Sequence, residues 1–439
     1  MSGTSRRYWD ESIETMDRDE LRALQEERLR WQVKRCYEGS ALFRAKFREV
    51  GAEPGDITTS DQLARLPVVT KQQLRDDQAE NPPLGTFPVA DPSEWREIHP
   101  STGTTGVPVN TIWSASDVET ITEFTARTLW QFGVRPGDIV QNAFAYGLWI
   151  AGMSVHYAAN RLGCLVIPVG TGVSGEKQIA YLQMPGSTVL IATPSYALYI
   201  AEGLRERGID PRSLPLRLGC FGGEPGAENP ATRAKIEAGL AIDAFDYYGL
   251  AEVGPTFASE CEAKAGIHFA EDHVLLECVD PETHRPVPEG QIGVLVFTHL
   301  TRTATPMLRY WSNDYARITT ERCACGRTHA RAVGGILGRH DDLLVFKGAK
   351  FYPSQVEKVV RTFAELSDEF RIEVRRESGG SRVETCVVVA ERTGEEAAGI
   401  SDRLRQALRA ELGVTPGLRL EPFGTLERTA FKAKRILEV

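Results

Sequence analysis

Between about residue 96 and residue 340, short apolar runs alternate with helical stretches, and each run stops at Gly, Pro or Thr. Cys164-Leu-Val-Ile-Pro, Thr188-Val-Leu-Ile-Ala and Leu216-Arg-Leu-Gly-Cys-Phe-Gly-Gly are the clearest cases. Such runs read as strands buried in a sheet, with helices as the connections between them. The pattern predicts an α/β domain whose ligand groups sit at strand ends. From about 273 to 318 the helices fade. His273-Val-Leu-Leu-Glu-Cys-Val and Ile292-Gly-Val-Leu-Val-Phe read as antiparallel strands around a turn at Pro288-Glu-Gly.

The ends of the chain read differently. Asp17 is placed as an N-cap answered by Glu20, and the helix that follows buries Leu21, Leu24, Leu29, Val33 and Cys36. Gln78 to Pro92 reads as an irregular connection. In the last hundred residues, Val356 to Phe363 predicts a short helix. Phe370-Arg-Ile-Glu-Val and Cys386-Val-Val-Val-Ala predict strands, and Ser401 caps a helix carrying Leu404, Leu408 and Leu412. A chain of 439 residues also exceeds what one core serves. We expect a large α/β unit over 1–340 and a small α+β unit over 341–439.

Composition narrows the function classes. With 51 Lys and Arg against 60 Asp and Glu, the net charge of −9 opposes nonspecific nucleic-acid binding. The most apolar stretch, Ser187 to Leu204, is broken by Pro194, so no membrane span is expected. Arg6 and Arg7 precede an acidic run without an apolar signal core, which suggests a cytoplasmic protein.

Five segments carry groups suited to chemistry. Ser101-Thr-Gly-Thr-Thr-Gly-Val-Pro offers hydroxyls and backbone N–H groups to an anion, though a polar surface turn has the same composition. No Gly-Lys-Ser/Thr follows, so it is not a Walker loop. Asp246-Tyr-Tyr-Gly-Leu-Ala-Glu sets aromatic rings and a glycine before Glu252, a carboxylate able to hold Mg²⁺. Its plainer reading is a strand end with packed tyrosines. Arg309-Tyr-Trp-Ser-Asn-Asp314 ends in a carboxylate fit for ribose hydroxyls. Gly338-Arg-His-Asp-Asp-Leu-Leu-Val-Phe-Lys-Gly and the terminal Phe431-Lys-Ala-Lys-Arg complete the set.

In order, these segments resemble the adenylate-forming superfamily, and more closely the phenylacetate–CoA ligase-type aryl-CoA ligases. The resemblance also covers Val134-Arg-Pro-Gly-Asp, Thr193-Pro-Ser-Tyr, Phe221-Gly-Gly-Glu-Pro and Pro353-Ser-Gln-Val-Glu, nearly the whole length. It implies a two-step ligase reaction. A carboxylate attacks the α-phosphorus of ATP, and a thiol, normally that of coenzyme A, then displaces AMP. Ser101, Thr102, Gly103, Thr104, Thr105 and Gly106 would cradle the phosphates. Gly222, Gly223, Glu224 and Pro225, with Tyr247 and Tyr248, would line the adenine site, and Asp246 and Gly249 beside them would also bind the nucleotide. Glu252 would hold Mg²⁺, Asp314 the ribose, and Arg339 would sit beside the ribose or a phosphate. Lys432 matches the catalytic lysine, with Lys434 its neighbouring competitor. Asp341 matches the hinge on which the small domain turns, and Gly348 the thiol tunnel. Val107, Ala251, Lys350 and Phe431 depart from the usual pattern.

The acyl pocket is expected near Phe144, Tyr146 and Trp149, where flat surfaces suit an aromatic acid; the alternative is that these rings only pack the core. Cys261, His268, Cys323 and Cys325 offer three thiolates and an imidazole. From spacing, a closed Zn²⁺ site and incidental buried cysteines both stand. The resemblance favours structural zinc. The expected partners are an aromatic acid, ATP and CoA, with no nucleic acid and no membrane, and a homodimer is the candidate assembly. A carrier-protein thiol or an amine is the alternative acceptor, and a non-catalytic adenylate-binding protein is a further alternative.

Overall fold

The computed structural model describes residues 6–101, 107–376, 383–394, 399–428 and 434–439. The apolar runs of the sequence form the parallel half of a 12-stranded sheet. In space, Leu165–Ile167, Ile139–Asn142, Val189–Ala192, Leu218–Phe221 and Asp243–Leu250 lie side by side and parallel. Asp243–Leu250 then pairs antiparallel with Gly254–Glu260, and the sheet continues through Ile267–Phe269, Arg331–Ala332, Tyr310–Thr319, Ile292–His299 and Val274–Val279. The expected switch from crossover strands to an antiparallel pair is therefore present: Val274–Val279 and Ile292–His299 run antiparallel. Leu165 is exposed, because its strand is the sheet's edge rather than a buried one.

The apolar segment 187–204 is a strand and a helix. Thr193 caps helix Pro194–Glu206, with Pro194 at its first position, where the ring costs no hydrogen bond. Helix Arg18–Gly39 begins at Asp17 as predicted, but the Asp17 carboxylate accepts from the Asp19 N–H. The connection expected from Gln78 is helical through Glu80, as part of helix Lys71–Glu80.

A second sheet of six strands builds the C-terminal part. Leu366–Arg376 and Val383–Arg392 form its centre, and helices Pro353–Val360 and Ile400–Leu412 pack on it. Leu404, Leu408 and Leu412 are buried there. Ser401 does not cap this helix; the N-cap is Gly399, whose φ of 74° suits a residue without a Cβ. The last strand paired with the large sheet is Gly338–Arg339, and the first strand of the small sheet is Leu344–Phe346. Lys235 meets Asp368 at 3.0 Å across the two parts, and Arg428 reaches Glu202 at 3.5 Å.

Candidate active site

Strand Asp243–Leu250 stands where the sheet changes from parallel to antiparallel, so its C-terminal end opens between two halves. Successive side chains on a strand leave opposite faces. Tyr248 goes to one face and donates to Asp314 Oδ2 at 2.6 Å. Tyr247 goes to the other and packs with Phe132 and Phe144. The structure thus separates the two tyrosines that the sequence set together. Gly249 is required by backbone approach, since a side chain there would collide with the Pro255 carbonyl.

Asp314 lies opposite Arg339 in the strand register. Arg339 Nη1 is 3.8 Å from Asp314, and its Nε and Nη2 donate to Asp341 at 2.9 and 3.0 Å. Burial works against the Asp341 charge, but the guanidinium holds its carboxyl below the usual range. Tyr248 keeps its proton well above the usual phenol range, first through burial and then through the Asp314 charge.

Glu252 is buried in the turn that follows. Lys71 Nζ lies 2.9 Å from its Oε1, yet off the line of a hydrogen bond, and that oxygen has no hydrogen-bond partner among the described residues. A buried carboxylate oxygen paired with an ammonium but outside any hydrogen bond is a donor of the kind a hard cation such as Mg²⁺ takes. Tyr310 feels the same charges: burial, then Glu252, pushes its hydroxyl up, with Arg339 opposing and Asp314 adding. The charges of Glu252, Arg339 and Asp314 thus all act on this one hydroxyl.

Lys71 is the cation that the motif reading missed. Its place is set by backbone pairing: the Val69 N–H donates to the Arg309 carbonyl, and the Trp311 N–H donates to Val69 O, each at 2.9 Å. Arg309 braces the preceding segment by donating to the Ala64 and Leu66 carbonyls and to Glu277. The one sequence signal was the capping box Thr70 to Gln73, which sets Lys71 at a helix N-terminus. A cation is unfavourable at that end of the dipole unless an anion answers it.

Ser101 is buried, and its Oγ accepts from the Val109 N–H at 3.1 Å. Thr102, Gly103, Thr104, Thr105 and Gly106 lie outside the described residues, as does Lys432. Just beyond the loop, the Val107 carbonyl accepts from Arg75 Nε at 3.1 Å. Gly222, Gly223, Glu224 and Pro225 follow strand Leu218–Phe221, and Glu224 accepts from the Ser195 N–H at 2.9 Å. The Asp246 N–H donates to Glu260, which also receives Arg233 at 2.8 Å on both oxygens. Burial, with the Glu228 and Glu260 charges, raises the Asp246 carboxyl.

Phe144 and Trp149 meet edge-on with centroids 5.2 Å apart, and the Trp149 ring covers Gly223. The Tyr146 hydroxyl accepts from Asn142 Nδ2 at 2.8 Å and lies 3.2 Å from His156 Nδ1. Gly348, φ 85°, forms the tight turn between strands Leu344–Phe346 and Ala349–Phe351 of the small sheet.

Cys261, His268, Cys323 and Cys325 are all buried, and their ligand atoms lie within 4.8 Å of one another. Cys261 and Cys323 Sγ are 3.7 Å apart, and Cys325 Sγ is 3.6 Å from His268 Nε2. Zn–S bonds of about 2.3 Å and Zn–N bonds of about 2.0 Å on a tetrahedron give edges of roughly this length. His268 Nδ1 lies 3.2 Å from the His329 carbonyl, which fixes the tautomer with Nε2 free to ligate. Tyr8 Oη donates to the Cys325 carbonyl at 2.8 Å, and Arg327 beside the cluster pairs with Glu14. Tyr8 and Glu14 thus hold the N-terminal segment against the loop that carries Cys323 and Cys325.

Two family profiles divide the chain. Residues 22–311 match the AMP-binding enzyme family, and residues 348–439 match the AMP-binding enzyme C-terminal domain. The chain belongs to the AMP-binding enzymes. This AMP-binding enzyme is 39% identical to a phenylacetate-coenzyme A ligase of Thermus thermophilus, over 97% of this chain and 98% of the relative. A crystal structure of a 2-hydroxyisobutyryl-CoA ligase in the postadenylation state, with an acyl-AMP bound, matches with a TM-score of 0.94 at 30% identity. That alignment covers 100% of this chain and 94% of the other. The same ligase with CoA in the thioesterification state matches with a TM-score of 0.76, at the same identity and coverage.

Proposed function

We infer that this enzyme activates an aromatic carboxylic acid with ATP and passes the acyl group to coenzyme A. The observation that carries the reading is the convergence of Glu252, Lys71, Asp314 and Arg339 at the C-terminal end of a switch-point strand, in a chain of the AMP-binding family. In the first step a carboxylate oxygen of the acid attacks the α-phosphorus. The bond to pyrophosphate breaks, and an acyl-adenylate forms. In the second step the thiol sulfur attacks the acyl carbon. The carbon–oxygen bond to AMP breaks, and the thiol proton is lost to solvent.

In this reading Asp314 accepts the ribose hydroxyls, and Tyr248 holds the Asp314 carboxylate in place. Glu252 would hold Mg²⁺, which when bound neutralises charge on the phosphates. Lys71 adds a cation beside it and offsets the lack of a lysine at Val107. The loop from Ser101 to Gly106 supplies donors to the phosphates, and Lys432 supplies the cation of the adenylation step. Phe144, Tyr146 and Trp149 bound the aryl pocket. Asp341, clamped by Arg339, is the hinge between 1–340 and 341–439, and the turn at Gly348 belongs to the thiol side. The higher likeness to the postadenylation state supports an adenylation-side arrangement of the small domain.

We also read Cys261, His268, Cys323 and Cys325 as a structural Zn²⁺ site, because four protein ligands leave no position for substrate. The reaction is placed in the cytoplasm, where ATP and CoA are supplied. Acid-dependent pyrophosphate exchange across a panel of aromatic acids, with and without CoA, tests the whole reading. Exchange with AMP and thioester as products supports it. Absence of acid-dependent exchange rejects it, and exchange without any CoA thioester assigns a different acceptor.

A further inference from the structure

Helix Pro230–Leu240 begins just beyond the segment Gly222 to Pro225. Its Thr232 and Lys235 stand one turn apart and therefore share a face. Both meet the C-terminal part. Thr232 Oγ1 donates to Glu357 Oε1 at 3.4 Å, and Lys235 Nζ donates to Asp368 Oδ1 at 3.0 Å. Behind the two carboxylates stands one buried guanidinium. Arg361 donates to Glu357 Oε1 at 3.2 Å and to Asp368 Oδ1 at 2.8 Å. Burial works against the Asp368 charge, but Arg361 first and Lys235 second hold its carboxyl below the usual range.

Glu357, Arg361 and Asp368 all belong to the C-terminal part, so their mutual contacts travel with it. The contacts of Thr232 and Lys235 do not, because they join one part to the other. A second bridge of this kind, Arg428 to Glu202, stands on the neighbouring helix Pro194–Glu206. The acceptors are thus prearranged by Arg361, and only the two donors are gained or lost when the small part turns.

We propose that Lys235 and Thr232 are positioning residues for the adenylation step: with Glu357, Asp368 and Arg361 they form a latch that holds the small part in its adenylation orientation. The inference rests on the acid-activation reading above and on the adenylation-side arrangement given there. Lys235 and Asp368 keep 27% and 35% of their side chains exposed, so solvent and salt weaken the pair. Such a latch biases the arrangement without fixing it, as a reaction of two steps requires.

The test uses the full chain and its Lys235→Met, Lys235→Glu and Lys235→Arg variants, with the aromatic acid that gives the fastest pyrophosphate exchange. Two single-turnover rates are measured: acyl-adenylate formation from acid and ATP, and thioester formation from supplied acyl-adenylate and CoA. Each rate scales with the population of its own arrangement, so their ratio reads the equilibrium between the two. The adenylation-to-thioester ratio should fall about 3- to 10-fold in Lys235→Met, and further in Lys235→Glu, where like charges face each other. Lys235→Arg should keep the ratio within about twofold of wild type. An unchanged ratio in Lys235→Met, or an equal loss of both rates, overturns the inference. If wild type forms no acyl-adenylate with any acid, the functional reading fails separately. Amide hydrogen exchange then decides: faster exchange of helices Pro230–Leu240 and Pro353–Val360 in Lys235→Met than in wild type supports the latch, and equal exchange overturns it. Should Lys235→Met not fold, the wild-type ratio against ionic strength decides: a fall with added salt supports the latch, and a constant ratio overturns it.

Discussion

Lys71→Met removes one charge from the candidate phosphate site while keeping most of the side chain's bulk. Two unit charges 2.9 Å apart attract by about 6 kcal/mol at an effective dielectric of ~20. Desolvation of the buried Glu252 carboxylate consumes part of this. The Lys71 side chain keeps 26% exposure, so solvent screens more. A net value of about 2–3 kcal/mol remains. In the proposed reading the same ammonium would face the phosphates, and a loss of similar size is expected in the adenylation transition state. Lys71→Met should lower kcat/KM for acid-dependent pyrophosphate exchange about 30- to 150-fold. Thioester formation from supplied acyl-adenylate and CoA should stay near the wild-type rate, because no pyrophosphate is present in that step. Glu252→Gln should be non-additive with Lys71→Met, since the two charges are in contact. Exchange within threefold of wild type, or an equal loss in both half-reactions, would refute the reasoning.

Lys432→Ala should reduce exchange by about 10²- to 10³-fold and spare thioester formation from acyl-adenylate; equal loss in both steps rejects its role. Protein purified without chelator should carry close to one zinc per chain by elemental analysis, and Cys325→Ser should lose the metal and lower the thermal midpoint; wild type without zinc ends that reading. His299 Nε2 lies 2.7 Å from the Val253 carbonyl, to which it donates, and Nδ1 accepts from the Met307 N–H. Burial first, and the Arg302 charge second, lowers its pKa to about 3. An unfolded histidine titrates near ~6.5, so the unfolded chain binds the extra proton in the window between. Stability should therefore be fully present above about pH 6.5 and fall by roughly 1.4 kcal/mol per pH unit below it, for this residue alone. Denaturant midpoints measured against pH should show the slope, and His299→Gln should reduce it, leaving the part from His273, whose pKa burial lowers to about 4.

The strands of the parallel half were legible because each is a short apolar run closed by Gly, Pro or Thr, as at Thr188 to Ala192. The helix of Leu404, Leu408 and Leu412 was legible from its spacing, although its cap was not. Ser401 and Gly399 both stand near the start, and backbone conformation chose the glycine. The opposite destinations of Tyr247 and Tyr248 follow from strand alternation once the strand is known, but the choice of face does not.

Residue order and spacing alone determined the α/β class, the family motifs and the candidate cysteine ligands, because these depend on neighbours along the chain. Tertiary structure decided what meets across it. Lys71 reaches Glu252 because Val69 adds its backbone to the edge at Tyr310 and Arg309 braces the segment before it. Cys261 meets Cys323 because strand Arg331–Ala332 returns beside Ile267–Phe269. Neither contact leaves a periodic trace, since side chains brought together by sheet pairing are set by register and burial rather than by their distance in sequence.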